Sequence, residues 1–456
     1  MESPEPISGW LRTRVRQHGE KPFLHFAGRT YSYTELAQET ELQHTRLTSY
    51  GVRAGEVVAL LSDYSFSAIA TFLALHYLRT IVVPIANTVP TEVDERLTLL
   101  HIDWVIRDPS ATATIEVGQG GAIHEILQKL QLAERSGLVL FSSGSTGKPK
   151  AMAHDLDRLV DTYHNRKHRD ITMMVFLMFD HIGGLNTLLT ALASGAAMVI
   201  PETREPERVA ELIARYRVAI LPASPTFLNL MLLSGAPQRY DLSSLKFITY
   251  GTEPMPESLL ARLRTAFPRA RFLQTFGTSE TGISQTTSLS SSSTLLKLDD
   301  PNIEHRIVDG ELWLRSSTQI LGYLNHNMDS FTADGWFKTG DLVETAENGF
   351  LRIRGRAKEL INVGGQKVVP AEVESVLMEM PEIEDCVVFG ELNLITGQIV
   401  CAKVILKQGI SSGLIRQAVR TFCRGRLDSY KIPVKITISD VPLFGKRFKK
   451  QRIVSS

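Results

Sequence analysis

Residues 138–151, LVLFSSGSTGKPKA, constrain the chain more than any other stretch. The apolar run 138–141 reads as a buried strand. Its character then changes abruptly, to Ser142, Ser143, Gly144, Ser145, Thr146 and Gly147, followed by Lys148, Pro149 and Lys150. Gly144 and Gly147 let the backbone turn tightly and come close to a ligand. Hydroxyls and exposed backbone N–H groups can surround a phosphate, and the lysines add positive charge. A strand running into a small, hydroxyl-rich, basic loop is a phosphate-cradle candidate. It is not the Walker loop, whose glycines stand further apart and whose lysine precedes Ser or Thr. The competing reading is a flexible surface loop, because short Gly/Ser strings recur by chance.

At 456 residues the chain exceeds what one core usually supports, so two or more domains are expected. A formal charge of +1 argues for neither nucleic acid nor an anionic membrane surface as partner. No uninterrupted apolar run approaches the length needed to cross a bilayer. The opening MESPEPISGW has no basic and apolar leader pattern, so no signal peptide is expected. Cys386, Cys401 and Cys423 are odd in number, widely spaced and without zinc-ligand spacing, which suggests reduced thiols in a cytoplasmic protein. No internal repeat is evident.

Strand and helix patterns alternate through the first part. A short amphipathic helix is expected at 10–18, and a hairpin at 23–26 and 29–32 around Ala27-Gly28. Thr34 is expected to cap a helix. Strands at 56–61, 80–84 and 104–106 are separated by an apolar helix at 65–78. Residues 108–121 read as an irregular connection before a helix at 123–132. This alternation predicts an α/β architecture with parallel sheets.

SSGSTGKPK is long and ordered, and it resembles the phosphate loop of the adenylate-forming enzymes: acyl- and aryl-CoA ligases, luciferases and the adenylation domains of peptide synthetases. Further motifs of that family follow in order. A strand at 175–179 ends in Asp180-His181-Ile182-Gly183-Gly184, similar to the family's FHxxGL segment. A lone histidine is more often structural. The resemblance assigns His181 to the acid pocket and to gating of the thiol. It also sets Ile182 where amino-acid-activating members carry an Asp. An apolar side chain there cannot offset desolvation of an ammonium group, which favours an acid without an α-amine. A slip of register by two would put Asp180 there and restore the amino-acid reading.

A strand at 218–221 runs into Pro222-Ala223-Ser224-Pro225-Thr226, like the family's PT turn. A strand at 247–250 enters Gly251-Thr252-Glu253, followed by a helix at 257–266. The family sets this glycine-bearing segment against the adenine and the acyl group, with Gly251 at the acid pocket; an ordinary strand-to-helix turn is the plain alternative. Phe276-Gly277-Thr278-Ser279-Glu280 resembles YGxTE. The resemblance implies contact with the nucleotide from Phe276 to Ser279 and a Mg²⁺ ligand at Glu280, a carboxylate suited to a hard cation. A strand at 311–314 follows the Asp309-Gly310 turn. Residues 335–341, GWFKTGD, match GWFxTGD, which implies that Asp341 accepts hydrogen bonds from the ribose hydroxyls.

After a strand at 350–356, the string RAKELINVGGQKVVPAEVE (356–374) mixes basic residues, a glycine pair and a proline, which marks a boundary by composition. It resembles the family's hinge. The resemblance places Lys358 at the hinge, Arg356 on the ribose, Lys367 near a phosphate, and Gly364 and Gly365 along the pantetheine tunnel. Helices at 371–378 and 415–424 and strands at 383–390 and 399–406 complete a small α+β unit. Gly445-Lys446 resembles the family's terminal GK pair, which implies that Lys446 is the catalytic lysine; Lys449 is the other candidate. By composition alone this basic tail is a solvated face.

The expected organisation is α/β: a large N-terminal AMP-binding domain, 1–357, of parallel and mixed α/β subdomains, and a small mobile α+β C-terminal domain, 358–456. The resemblance implies ATP-dependent activation of a fatty or aryl acid to an acyl-AMP with release of pyrophosphate, then transfer to the thiol of CoA. The cofactors are ATP and Mg²⁺, with CoA or a phosphopantetheine as acceptor. A stand-alone enzyme loading an acyl, aryl or amino acid onto an acyl carrier protein is the alternative. A phosphotransferase is disfavoured, since no Walker or kinase pattern appears. A non-catalytic nucleotide-binding protein is disfavoured by retention of Glu280, Asp341 and Lys446 together.

Overall fold

Successive residues of the first strands feed two different cores. Val57 and Ala59 pack with Leu127 and Leu130, whereas Val58 and Leu60 pack with Leu73 and Leu185. The same alternation separates Val139 and Phe141 from Leu138 and Leu140. A strand covered on both faces has no polar side to present, which explains why these segments read as continuous apolar runs. The computed structural model describes residues 9–86, 89–107, 114–143, 149–410, 415–445, 448–450 and 452.

Two compact units divide the chain: Met1–Pro222 with Gly277–Ile283 and Arg315–Phe337, and Ala223–Phe276 with Ser284–Leu314 and Lys338–Ser456. In the first unit a sheet runs in the order Gly322–Tyr323, Pro149–Asp155, Gly137–Ser143, Ile81–Pro84, Val57–Leu61, Trp104–Arg107 and Thr114–Val117. Its centre is parallel and its flanks are antiparallel. A second set of strands, Thr172–Met174, Ala197–Val199 and Pro22–Phe26, is parallel and closes with the hairpin to Arg29–Ser32. Helices Phe66–Tyr77 and Ile182–Ser194 contribute to the large core of this unit.

The second unit pairs Phe247–Tyr250 with Arg271–Gln274 in parallel. It also holds a sheet ordered Thr286–Ser288, Leu295–Leu298, Leu351–Arg356, Phe337–Thr345, Glu311–Ser316 and Ile303–Val308. The small fold expected beyond residue 358 lies in this unit. Its sheet is built on the long antiparallel pair Ile383–Asn393 and Gly397–Leu406, with Lys435–Ile438 added in parallel. Val373 and Leu377 of helix Pro370–Leu377, and Ile415 and Val419 of helix Ile415–Cys423, join Val388, Ala402 and Val404 of these strands in one core.

Three local expectations are corrected. The cap of helix Tyr33–Tyr50 is Ser32, not Thr34: Ser32 accepts from the Glu35 N–H while the Glu35 carboxylate accepts from the Ser32 N–H. The strand expected at 175–179 is instead Thr172–Met174. The Val175 N–H still donates to the Val199 carbonyl at 2.9 Å, but the chain then leaves the strand, and the apolarity of Phe176 and Phe179 reflects burial rather than extension. Within the stretch read as irregular, Thr114–Val117 forms an edge strand against Trp104–Arg107; residues 108–113 lie outside the described residues.

His154 lies opposite Leu138 in the sheet, 1% exposed, and neither ring nitrogen has a hydrogen-bond partner. Burial pulls its pKa down to about 4. The unfolded chain takes up this proton at the ordinary value of 6.5, so the unfolded state is favoured as pH drops below that value. Its contribution to stability is whole above pH 6.5 and is lost progressively as pH falls towards 4. The loss is on the order of 3 kcal/mol, at about 1.4 kcal/mol per pH unit. Denaturant unfolding across this range should show a shallower acid slope in His154→Leu than in the parent. An identical slope in both contradicts this assignment.

Candidate active site

The candidate phosphate loop is the connection of an antiparallel hairpin. Gly137–Ser143 and Pro149–Asp155 pair with Ser142 opposite Lys150 and Ser143 opposite Pro149. Gly144, Ser145, Thr146, Gly147 and Lys148 lie outside the described residues. Where the hairpin resumes, Asn325 holds it: its amide donates to the Pro149 carbonyl (2.9 Å) and its Oδ1 accepts from the Ala151 N–H (2.9 Å). The strand Gly322–Tyr323 extends the same edge and brings Tyr323 opposite Met152. The Lys150 ammonium lies 5.3 Å from the centroid of the Tyr323 ring. The Tyr323 hydroxyl donates to Glu280 at 3.1 Å. Burial, and secondarily the Glu280 charge, push the Tyr323 pKa up, so the phenol remains a donor.

Glu280 sits in the turn after strand Phe276–Thr278. Thr278 shapes this turn, its Oγ1 accepting from the Thr281 N–H at 3.0 Å. At Gly277 a Cβ would lie 2.7 Å from the Gly282 carbonyl oxygen, so no side chain fits. The Glu280 backbone carbonyl accepts from Ile320 at 2.8 Å. Ser279 is half-buried in the same turn, and Phe276 is likewise half-buried. One half-buried carboxylate on a fixed turn suits a hard cation that takes its remaining ligands from phosphate oxygens. Among the described residues no cluster of three or more His, Cys, Asp or Glu side chains forms a metal cage.

His181 is the N-cap of helix Ile182–Ser194, and its Nδ1 accepts from the Gly183 N–H at 3.0 Å. That bond places the proton of the neutral ring on Nε2. A Cβ on Gly184 would lie 2.2 Å from the Met178 carbonyl oxygen, so the glycine pair lets the helix start pressed against the preceding turn. Ile182 is buried within the large apolar core. Asp180 is also buried and accepts from the Ala86 N–H at 3.4 Å.

In the second unit, Gly251 follows strand Phe247–Tyr250, and a Cβ there would lie 2.7 Å from the Thr275 carbonyl oxygen. Thr252 has a φ of 72°, a left-handed conformation costly for a β-branched residue. Glu253 accepts from the Thr226 N–H at 2.8 Å and from the Lys450 N–H at 3.3 Å. Burial raises its pKa, against those hydrogen bonds and the Lys450 charge.

Asp341 and Arg356 face each other across strands Phe337–Thr345 and Leu351–Arg356, with Arg356 Nε 3.1 Å from Asp341 Oδ1. Asp341 is 6% exposed, whereas the Arg356 side chain is 44% exposed. Burial pushes the Asp341 carboxyl up to about 6; Arg356 opposes this and Glu359 adds to it. Lys358 is exposed on the short turn Ala357–Glu359. Gly364 and Gly365, at φ 58° and 87°, make the tight turn between Ile361–Val363 and Gln366–Val368. Both positions face open space. Lys367 is exposed on the second of these strands, opposite Asn362.

Lys446 lies outside the described residues, but its flanks are fixed. Phe444 bridges to Lys450, and the Gly445 N–H donates to the Lys449 carbonyl at 3.1 Å. The Ser224 hydroxyl donates to the Phe448 carbonyl at 2.8 Å, and the Phe227 ring meets Phe448 edge-on at 5.3 Å. Lys449 contributes positive charge at Asp341. Tyr323 and Asn325 in the first unit, and Ser224 and Glu253 in the second, bond to the motif segments of their own units and were not assigned from the sequence. Ser224 and Glu253 stood inside quoted motifs as unassigned polar groups. Tyr323 follows a glycine in a stretch with no clear periodicity, where a Gly-Tyr pair was the only signal.

Comparison with known proteins identifies the family. The chain is similar to the 2-succinylbenzoate–CoA ligase of Geobacillus kaustophilus, 28% identical over 486 residues, covering 95% of this chain and 94% of that one. It is similar to the indoleacetate–CoA ligase of Aromatoleum aromaticum, 28% identical, covering 95% and 94%. Its fold is shared with the anthranilate CoA ligase AuaEII, solved with anthranoyl-AMP, at a TM-score of 0.80, 23% identity, and coverage of 97% and 95%. The sequence pattern of the AMP-binding enzyme matches residues 11–137 and 130–324, and that of the AMP-binding enzyme C-terminal domain matches residues 372–445. The chain belongs to the AMP-binding enzyme family.

Proposed function

We propose that this protein is an AMP-forming acid–thiol ligase that joins a fatty or aryl carboxylic acid to the thiol of CoA. The observation that carries the reading is the chain-long order of motifs, from residues 142–150 through Glu280 and Asp341 to Gly445-Lys446, in a chain of the AMP-binding family. In the first half-reaction a carboxylate oxygen attacks the α-phosphorus of ATP. The bond to the β-phosphate oxygen breaks, leaving acyl-AMP and pyrophosphate. In the second, the thiol sulfur attacks the acyl carbon, the bond to AMP breaks and the thiol proton is released. Nucleotidyl transfer asks of the protein mainly positioning and charge.

Residues 142–150 would cradle the outer phosphates, and Asp341 with Arg356 would hold the ribose. Gly251 and Thr252 would lie against adenine and acid, with Phe276 to Thr278 beside the nucleotide and Ser279 at the α-phosphate. Glu280, steadied by Tyr323, is the residue that would hold Mg²⁺, which supplies charge neutralisation on the phosphates. Lys446 would bridge the attacking carboxylate and the α-phosphate. His181, with Nε2–H as donor, would line the acid pocket. Ile182, buried among apolar neighbours, offers no partner to an α-ammonium, which favours fatty or aryl acids over amino acids.

A small C-terminal domain from 358 would turn about Lys358, whose exposed position allows a backbone torsion to change without opening a core. That turn would withdraw Lys446, bring Lys367 towards a phosphate and present Gly364 and Gly365 to the pantetheine arm. CoA is favoured over a carrier protein because the curated relatives compared above are named as CoA ligases. Three buried cysteines without disulfides fit the reducing cytoplasm.

Lys446→Ala should lower acid-dependent pyrophosphate release by ~100-fold or more, as loss of a positioned charge does, while thiol transfer from supplied acyl-AMP persists. Equal loss of both half-reactions contradicts the assignment. The Asp341 carboxyl takes up a proton as pH falls through about 6, and the ribose hydroxyls then lose an acceptor. kcat/KM for ATP should therefore fall through a one-proton step between about pH 7 and about pH 5. Asp341→Asn should be low throughout and lack that step. A parent-like step in the Asn variant assigns the titration elsewhere.

A further inference from the structure

The basic C-terminal run looks like a solvated tail, yet two of its charges are turned inwards. Lys450 and Arg452 enter a nest of acids. Lys450 Nζ donates to the Cys386 carbonyl at 2.7 Å and lies 3.3 Å from Asp385 and 3.7 Å from Glu374. Arg452 spans both oxygens of Glu374, at 3.0 and 2.8 Å, and reaches Glu359 at 2.8 Å. Glu374, on helix Pro370–Leu377, is 3% exposed and also accepts from the Val388 N–H at 3.0 Å. Every acid in this nest except Glu359 belongs to the helix or first long strand of the small fold.

The opposite side of the tail is held differently. Ser224 donates to the Phe448 carbonyl, and Glu253 accepts from the Lys450 N–H. These are contacts to backbone atoms, single bonds that re-form wherever a chain of suitable path arrives. A cavity of about 270 Å³ at this junction is lined by Thr226, Glu253, Glu374, Asp385, Lys450 and Arg452. The two sides thus differ in degree: towards the small fold the Lys450 and Arg452 side chains are held in close, buried ion pairs, whereas towards residues 224–253 the tail has two hydrogen bonds to its backbone, the Phe227–Phe448 ring contact and the longer-range charge of Glu253.

From this asymmetry we infer that Lys450 and Arg452 are positioning residues, a tether that makes the Lys446 segment part of the small fold, while Ser224 and Glu253 form the dock that the segment enters and leaves. The inference rests on the reading of Lys446 as the lysine of adenylate formation. Bidentate geometry makes Arg452 the more specific half of the tether.

The test uses the full chain and three readouts: acid-dependent pyrophosphate release, thiol transfer from supplied acyl-AMP, and the rate of trypsin cleavage within 446–452. Arg452→Met should lower the first by ~10-fold or more, leave the second within ~2-fold, and speed tail cleavage; Arg452→Lys should recover most of the loss. Glu374→Gln, which keeps shape and removes the charge, should reproduce the split if the Met variant folds poorly. A tail that stays protected overturns the tether, as does a parallel fall of both half-reactions matched to lost folded protein. Lys446→Ala is run alongside. If it retains adenylate formation, the reading of Lys446 fails, while faster tail cleavage in Arg452→Met still establishes the tether.

Discussion

A carboxylate taken out of water has to be met by cations or give up its charge, and Glu374 is the clearest instance in this chain. Burial alone would raise its pKa; Lys450, Arg452 and the Val388 N–H outweigh that and hold it at about 2. Removing one partner from such a buried arrangement costs about 3–5 kcal/mol, whereas an exposed ion pair contributes at most about 1 kcal/mol. The path of the C-terminal tail follows from this requirement. With Lys450 and Arg452 committed to Glu374, Asp385 and Glu359, residues 448–450 are held close by. These residues meet Phe227, Ser224 and Glu253.

Asp341 answers the same physics the other way. It is as deeply buried but has one arginine, and that arginine is largely exposed. Burial therefore wins, and the carboxyl stays near 6. Glu374 is saturated with protein donors and serves structure. Asp341 keeps acceptor capacity, which is what a pair of ribose hydroxyls requires. Two acids of similar burial are separated by how much of their hydrogen-bonding the protein itself consumes.

Much of the fold was legible because the doubly covered strands advertise themselves. Runs such as 138–141 and 81–84 are apolar at every position, which a one-sided sheet would not tolerate. Helix 257–266 matched its prediction because its ends are marked by a proline and an acidic first turn. The misreading at 175–179 had the opposite cause: an apolar run whose burial continues past Met174, where the strand ends. The strings around Glu280, on a turn, and Asp341, on a strand, stand out in the sequence as motifs. The residues that orient them do not. Tyr323 reaches Glu280 across 43 positions, and Glu253 meets the Lys450 backbone across 197. Such pairings are set by the fold and leave no local periodicity. The Gly364-Gly365 turn shows the converse. Its glycines are demanded by positive φ alone, so the motif reading and the turn reading coincide there.

The most direct measurement is product analysis with ATP, Mg²⁺ and a panel of fatty, aryl and amino acids, each with and without CoA. Acid-dependent release of pyrophosphate and AMP, with a CoA thioester formed from a fatty or aryl acid, is the result this account predicts. Release of ADP, or no acid-dependent pyrophosphate from any member of the panel, would contradict it. Acyl-AMP that accumulates with no thioester in the presence of CoA would move the acceptor to a carrier protein.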